Sequence, residues 1–204
     1  RVSTFRRVPS RPPLVPAFPW TSTHSKSVVP TGISRATLAD AHRLSALAIE
    51  TFPLACPPGT TAENIELFCT EKLSPEAFEV YMSEGRYRIW MAEENGSLRG
   101  YVMSVSGEPE DPDIAGAVVH RPTVEVSKIY VLTDAHGSGL SDLLMDTAVD
   151  NARTGGAASV WLGVNQLNDR ANRFYAKHGF ELVGERSFQV GDSLEADFVR
   201  EKVL

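Results

Sequence analysis

The sequence predicts an α/β (α+β) domain built on a mixed, mostly antiparallel sheet flanked by helices, because three kinds of signal follow one another along the chain. Helical apolar stripes come first, an antiparallel meander follows around Asn95-Gly96, and a strand, helix, strand crossover begins at Val124. A parallel crossover appended to a meander points to a mixed sheet rather than a doubly wound one. The length of 204 residues, with 42% apolar and 23% charged content, suits a single core.

Each element has its own signal. Gly32-Ile33-Ser34-Arg35 is a short strand candidate. Thr37 followed by Asp40 starts a helix whose Leu38, Ala41, Leu44, Leu47 and Ala48 fall at helical spacing. Thr61 opens a second helix with Ile65, Phe68 and Cys69, and Ser74-Pro75 caps a third with Phe78 and Met82. Strands over 87–92 and 98–105 flank Asn95-Gly96, a dipeptide suited to a two-residue hairpin turn. Residues 107–122, with Pro109, Pro112 and Pro122, read as a polar loop. Then come a strand over 124–132, a Gly-rich turn, a helix over 140–152, a strand over 159–164, a helix from Asn168 to Gly179, and terminal strands near 180–183 and 196–203.

Composition removes several function classes. No stretch approaches the roughly 18 uninterrupted apolar residues of a membrane helix, so no membrane partner is expected. Cys56 and Cys69 are too few for a disulfide scaffold and lack the companions of a zinc site. No metal is expected, and a reducing, cytoplasmic compartment is. The net charge is −6, yet Arg1, Arg6, Arg7, Arg11 and Lys26 give residues 1–30 a charge of +5, leaving −11 for residues 31–204. So acidic a domain argues against nucleic acid and for a cationic partner. Residues 1–30 also hold six of the thirteen prolines and no periodic element, which predicts a disordered basic extension before a domain over 31–204. A solvated tail, a targeting peptide and sequence upstream of the natural start are three readings of it. Pro16 and Pro19 interrupt its apolar stretch, which argues against a secretory signal, and Arg at position 1 leaves the true start undefined.

Two segments carry candidate chemistry. Asp134-Ala135-His136-Gly137-Ser138-Gly139-Leu140-Ser141 joins a strand to a helix with backbone N–H groups little encumbered by side chains, a place where an anion can rest on the helix N-terminus. It satisfies neither the dinucleotide fingerprint nor the P-loop, and an empty connecting turn is the other reading. In the second segment Asn168 caps a helix that Gly179 stops, and Ala171, Phe174, Tyr175 and His178 share one face. Tyr175 is there either a core aromatic or a proton donor at a cleft.

Together the two segments resemble the GNAT superfamily of N-acetyltransferases, whose pattern is a strand, [QR]xxGx[GA], a helix, a strand, then NxxAxxxYxxxGF. The second part is matched by Asn168, Ala171, Tyr175, Gly179 and Phe180; in the first, His136 stands at the Gln/Arg position, Gly139 at the glycine and Ser141 at the final small residue. The resemblance covers about residues 31–204. It implies splayed central strands, with acetyl-CoA as co-substrate in the gap, its pantetheine beside Ile129, Tyr130 and Val131, and its pyrophosphate on His136, Gly137, Ser138, Gly139, Leu140 and Ser141. Asn168 belongs to the same cofactor side. Arg170, Arg173 and Lys177 reach for the 3′-phosphate or are solvated surface. His136 brings no permanent positive charge, and Ser141 brings a hydroxyl that can crowd a phosphate or donate to it.

The chemistry the resemblance implies is direct acetyl transfer to an amine. A backbone N–H of Tyr130 or Val131 faces the thioester oxygen, Tyr175 protonates the departing thiolate, and Glu125 is the candidate base, against the alternative of an exposed strand carboxylate. His24, His42 and His120 show no partner pattern, and Asp142, Asp146 and Asp150 fall on the expected solvent face of the 140–152 helix. The stretch Phe188-Gln189-Val190-Gly191-Asp192 with Asp197, the Trp161–Val164 strand and Glu50-Thr51-Phe52 are similar to bacterial PaiA-type polyamine (spermidine/spermine) acetyltransferases. A small-molecule amine, such as a polyamine, is therefore the expected acceptor. Acetylation of protein N-termini or lysines, and a non-catalytic acyl-CoA-binding module, remain as alternatives. Antiparallel strands at the C-terminal edge admit a homodimer.

Overall fold

The computed structural model describes residues 32–204; the extension expected over residues 1–30 lies outside the described residues. Strand β1 (Gly32–Arg35) leads into a 3-10 turn at Leu38–Asp40, where the Thr37 N–H donates to the Asp40 carboxylate at 3.0 Å, and then into helix α1 (Ala41–Thr51). Thr61 Oγ1 accepts the Asn64 N–H at the start of α2 (Ala62–Lys72), and Ser74 Oγ accepts the Ala77 N–H at the start of α3 (Pro75–Ser83). Each cap satisfies an N–H that the helix itself cannot. Strands β2 (Tyr87–Glu94) and β3 (Ser97–Ser106) form the hairpin, with Asn95 and Gly96 at φ 55° and 76°, as a two-residue turn of that hand requires.

The polar loop expected over 107–122 contains a helix, α4 (Pro112–Ala117). Asp111 caps it, Pro112 opens it, and Ile114 and Val118 bury themselves against Trp161 and Val199, so tertiary packing holds a helix too short to stand alone. Strand β4 (Thr123–Val131), helix α5 (Leu140–Thr154), strand β5 (Ser159–Asn165) and helix α6 (Asp169–Lys177) follow as expected. Strand β6 (Glu181–Val190) is much longer than its apolar core suggested, and β7 (Ser193–Val203) starts somewhat earlier; both run up to a turn at Gly191, φ 57°.

The seven strands lie in the order β1-β2-β3-β4-β5-β7-β6, with β4 and β5 the parallel pair and every other neighbour antiparallel. Helices cover both faces. One core, centred on Leu144, Met145, Val102 and Leu162, sits under α5; the other, centred on Leu44, Phe78, Tyr101 and Met103, sits under α1 and α3. Such side chains, nearly sealed from water, each contribute about 1.5–3 kcal/mol of burial. Among the described residues no helix is long and apolar enough to cross a membrane.

Two irregularities in the middle of the sheet set up the site. Pairing between β4 and β5 covers only Thr123–Glu125 against Ser159–Trp161, after which the strands part. On its other edge β4 keeps its ladder with β3, but the register shifts between Met103 and Ser104, so Ser127 is an extra residue opposite them. Beyond this bulge the alternation of β4 is reset. Glu125, Lys128 and Tyr130 therefore share the face toward α1–α3, whereas Val126, Ile129 and Val131 pack toward α5.

Candidate active site

The parting of β4 and β5 opens a cavity of about 660 Å³. Its walls are β4 from Glu125 to Val131, β5 from Gly163 to Asn165, the Tyr175 face of α6, and the Arg186–Val190 half of β6; Phe52, Cys56, Phe68 and Lys72 close it from above. Phe52 and Phe68 stack at 4.3 Å and Phe188 meets Phe68 edge-on at 5.9 Å, giving one end an aromatic wall.

Backbone directions decide what faces the gap. The Leu132 N–H donates to Arg99 O on β3 at 2.9 Å. Because polar groups alternate sides along a strand, Val131 turns its N–H and C=O the other way, toward the space β5 has vacated. The Val131 carbonyl is met there by His136 Nε2 at 3.1 Å, and the other ring nitrogen, Nδ1, lies 3.1 Å from Arg170 Nη1. A guanidinium only donates, so Nδ1 accepts and Nε2–H donates, which assigns a neutral imidazole from the network. Arg170 on α6 thus brings the fixed positive charge that His136 lacks.

The turn after His136 is held open by Gly137 and Gly139, at φ 79° and 86°. Among the described residues their N–H groups have no protein acceptor, while the Leu140 N–H is taken by Ser138 Oγ at 3.3 Å. The free first-turn amides of α5 and its dipole make an anion-binding end. Of the residues expected on the cofactor side, Ile129, Tyr130, Val131, His136, Gly137, Ser141, Asn168 and Arg170 line the cavity. Ser138, Gly139, Leu140 and Lys177 do not. Leu140 is core, and Lys177 Nζ lies on Asp142 Oδ1 at 2.9 Å, outside the wall.

Asp142, expected on the solvent face, is partly exposed there but not unpartnered. Asp142 receives both Lys177 and His178 Nε2, at 2.8 Å, and so ties α5 to α6, and these partners hold its carboxyl below the usual range. His120, for which no partner was expected, places Nδ1 3.2 Å from the buried Glu201 carboxylate. His24 lies outside the described residues.

Tyr175 and Glu125, the two residues expected to do chemistry, line the same cavity. Burial, with Asp197 nearby, pushes the Tyr175 phenol up to about 12. Its hydroxyl has no protein hydrogen-bond partner among the described residues, and its ring packs between Phe174 and Phe180. Burial raises the Glu125 carboxyl above its ordinary value against the pull of Arg186 and Lys128. Burial, with Cys69 and Glu195 nearby, pushes the Cys56 thiol up to about 11, away from the thiolate form that a nucleophile needs.

Sequence reasoning missed Lys128 and Arg186. Burial lowers the Lys128 ammonium to about 8, and its Nζ sits 5.2 Å from the Tyr81 ring centroid. Arg186 packs over Trp161 and Phe188 and reaches Asp197 Oδ2 at 3.4 Å. The alternation Arg186, Phe188, Val190 carried a signal for the second; nothing short of the β3–β4 pairing carried one for the first.

Comparison with known proteins places these features in context. A family model described as the acetyltransferase (GNAT) family matches residues 49–180. An uncharacterized N-acetyltransferase of Mycobacterium tuberculosis strain H37Rv is 41% identical over 167 residues, covering 82% of this chain and 99% of that protein. Among solved structures, the PaiA N-acetyltransferase of Thermoplasma acidophilum in complex with coenzyme A aligns with a TM-score of 0.68 at 18% identity, over 86% of this chain and 99% of that one. A GCN5-related N-acetyltransferase structure from Rhodopseudomonas palustris aligns with a TM-score of 0.66 at 16% identity, over 87% and 98%.

Proposed function

The chain belongs to the acetyltransferase (GNAT) family of acetyl-CoA-dependent enzymes, and from that premise we propose that it N-acetylates a small primary amine at the cavity between β4 and β5. The observation that carries this reading is the coincidence, in one cavity, of an anion-binding turn, a strand edge with free polar groups, and two titratable side chains, Glu125 and Tyr175. Acetyl-CoA supplies the acetyl group as an activated thioester.

The residues present fit that co-substrate. The amides of Gly137 and Gly139, the Ser141 hydroxyl and the Arg170 guanidinium serve its phosphates. The backbone edge of Ile129 to Val131 serves its pantetheine, and the Val131 N–H is the donor aimed where oxyanion charge develops. Glu125, made more basic by burial, takes the proton of the acceptor ammonium directly or through water. Tyr175 holds its proton at every working pH and gives it up only as the thiolate departs. The cavity burial that raises the phenol raises the thiolate's proton affinity as well, so the transfer stays workable. Orientation adds several kcal/mol.

A polyamine acceptor draws support from the acidity of residues 31–204 and from Glu125 and Glu195 in the cavity wall. Lys72, Lys128 and Arg186 in the same wall offset those carboxylates, which favours a small primary amine over a polycation. A homodimer along the β6 edge, where Leu182 and Val183 are exposed, and a cytoplasmic location, in keeping with two free cysteines, belong to the same proposal. Release of thiol from acetyl-CoA, measured with a panel of amines, polyamines and peptides, tests the function. Release with small primary amines is expected. Tight acetyl-CoA binding without release in the presence of any acceptor would leave only an acyl-CoA-binding module.

A further inference from the structure

The acceptor end of the cavity holds one free charge of each sign on a single strand face. Glu125 and Lys128 both project from β4 toward α1–α3, brought to the same face by the bulge at Ser127. Two residues of strand rise put their backbones roughly 7 Å apart. Neither makes an ion pair or a hydrogen bond with a side chain among the described residues, whereas the other strong pair in the wall, Arg186 with Asp197, is already matched. A half-buried ammonium that faces a cavity with no ion-pair partner on the protein is a place that a bound anion fills. The next cation, Lys72 at the end of α2, also lines the cavity and adds to the positive side of this face.

We propose that the acceptor amine also carries a carboxylate, so that the enzyme takes an amino acid, its amine at Glu125 and its carboxylate on Lys128 with Lys72 behind. This rests on the acetyltransferase reading above and narrows it to a substrate class. An α-amino acid bears its ammonium and its carboxylate on one carbon, so the two span less than the separation of the two backbones, and both side chains converge on the ligand from the strand. The Phe52, Phe68 and Phe188 wall offers the amino acid's side chain an apolar surface, which favours aromatic and branched aliphatic amino acids. The depressed proton affinity of Lys128 accords with an ammonium whose counter-charge arrives with the ligand.

The experiment compares each of several amino acids with its decarboxylated amine, phenylalanine against 2-phenylethylamine and leucine against 3-methylbutylamine among them, with spermidine alongside, as kcat/KM for thiol release. For the best pair the amino acid is expected to exceed its amine by about 10- to 100-fold, the worth of one charged hydrogen bond. Lys128→Met, which keeps the stem and removes the charge, is expected to collapse that ratio toward unity. Calorimetry with acetyl-CoA verifies that the variant is folded, and Lys128→Gln takes its place if it is not. Decarboxylated amines or spermidine used as well as the amino acids would overturn the carboxylate site and leave the acetyltransferase standing. A ratio that survives both Lys128 variants would overturn it too. Absence of thiol release with every amino acid and amine tested would take down both readings together.

Discussion

Replacing Tyr175 by Phe separates a catalytic hydroxyl from a packing aromatic. The substitution keeps the ring, whose neighbours Phe174 and Phe180 stand 5.5 Å and 6.1 Å away between centroids, and deletes one oxygen that has no protein partner among the described residues. No intramolecular hydrogen bond is lost, so the stability change is expected within about 0.5 kcal/mol. For a domain of this size that is a shift in Tm of at most about 2 °C. Turnover behaves differently. Loss of a positioned general acid is worth about 10²–10⁴ in rate, or about 3–5 kcal/mol on the barrier. Because the phenol sits near 12, it stays protonated from pH 6 to 10. The variant should then be slower by a constant factor across that range, with no limb of the pH profile moved. The assay is single-turnover acetyl transfer with a saturating accepted amine, which isolates chemistry from product release, combined with acetyl-CoA calorimetry and a thermal melt on the same variant. Full single-turnover rate would refute the assignment and leave thiolate departure to solvent. A drop in Tm of several degrees would show that the hydroxyl has a structural partner after all.

Glu125→Gln should lower kcat/KM and abolish one acidic limb of its pH profile. Activity needs the carboxylate, so it is lost as pH falls through the Glu125 pKa, and because burial raises that pKa the limb lies above the ordinary carboxylate range; an unchanged profile would reduce Glu125 to a strand carboxylate. Gly100→Ala should destabilise by about 1–3 kcal/mol, measured by melting, since its Cβ would stand 2.8 Å from Tyr130 O and 2.9 Å from Val131 Cγ2, a backbone and a core atom with no room to yield. Unaltered Tm would mean that β3 and β4 do not approach so closely. Gly139→Val meets nothing within 4 Å, so its effect is strain at φ 86°, about 1–2 kcal/mol. Calorimetry should register it as roughly tenfold weaker acetyl-CoA binding, and equal affinity would place the phosphates elsewhere.

What could be read from residues alone was whatever a few neighbours decide among themselves. Thr61, Ser74 and Asn168 announce helix starts because a cap is a bond across three residues, and Asn95-Gly96 announces a hairpin because the turn needs two positive φ angles. The family motif placed Tyr175 and the 136–141 turn for the same reason, each being contiguous. Helix α4 escaped because its hold is distant: Ile114 within it and Val118 at its C-cap are buried where Trp161 and Val199 cover them. The length of β6 and β7 escaped because their outward residues are polar and their pairing with each other, with β7 placed between β5 and β6, is a choice among strands far apart in sequence.

The acceptor end shows the division most sharply. Three residues apart on a regular strand, Glu125 and Lys128 would point to opposite faces, one to each core. They share a face because β3 offers no partner to Ser127, and that mismatch belongs to a pair of strands, not to either one. The cavity has the same origin, since its walls run from Phe52 to Asp197 and exist only where β4 and β5 stop pairing after Glu125 and Trp161. Sequence by itself determined most of the elements, their caps and the contiguous motif; tertiary structure decided which charges meet, because strand register and strand separation are set by contacts between segments that no local rule relates.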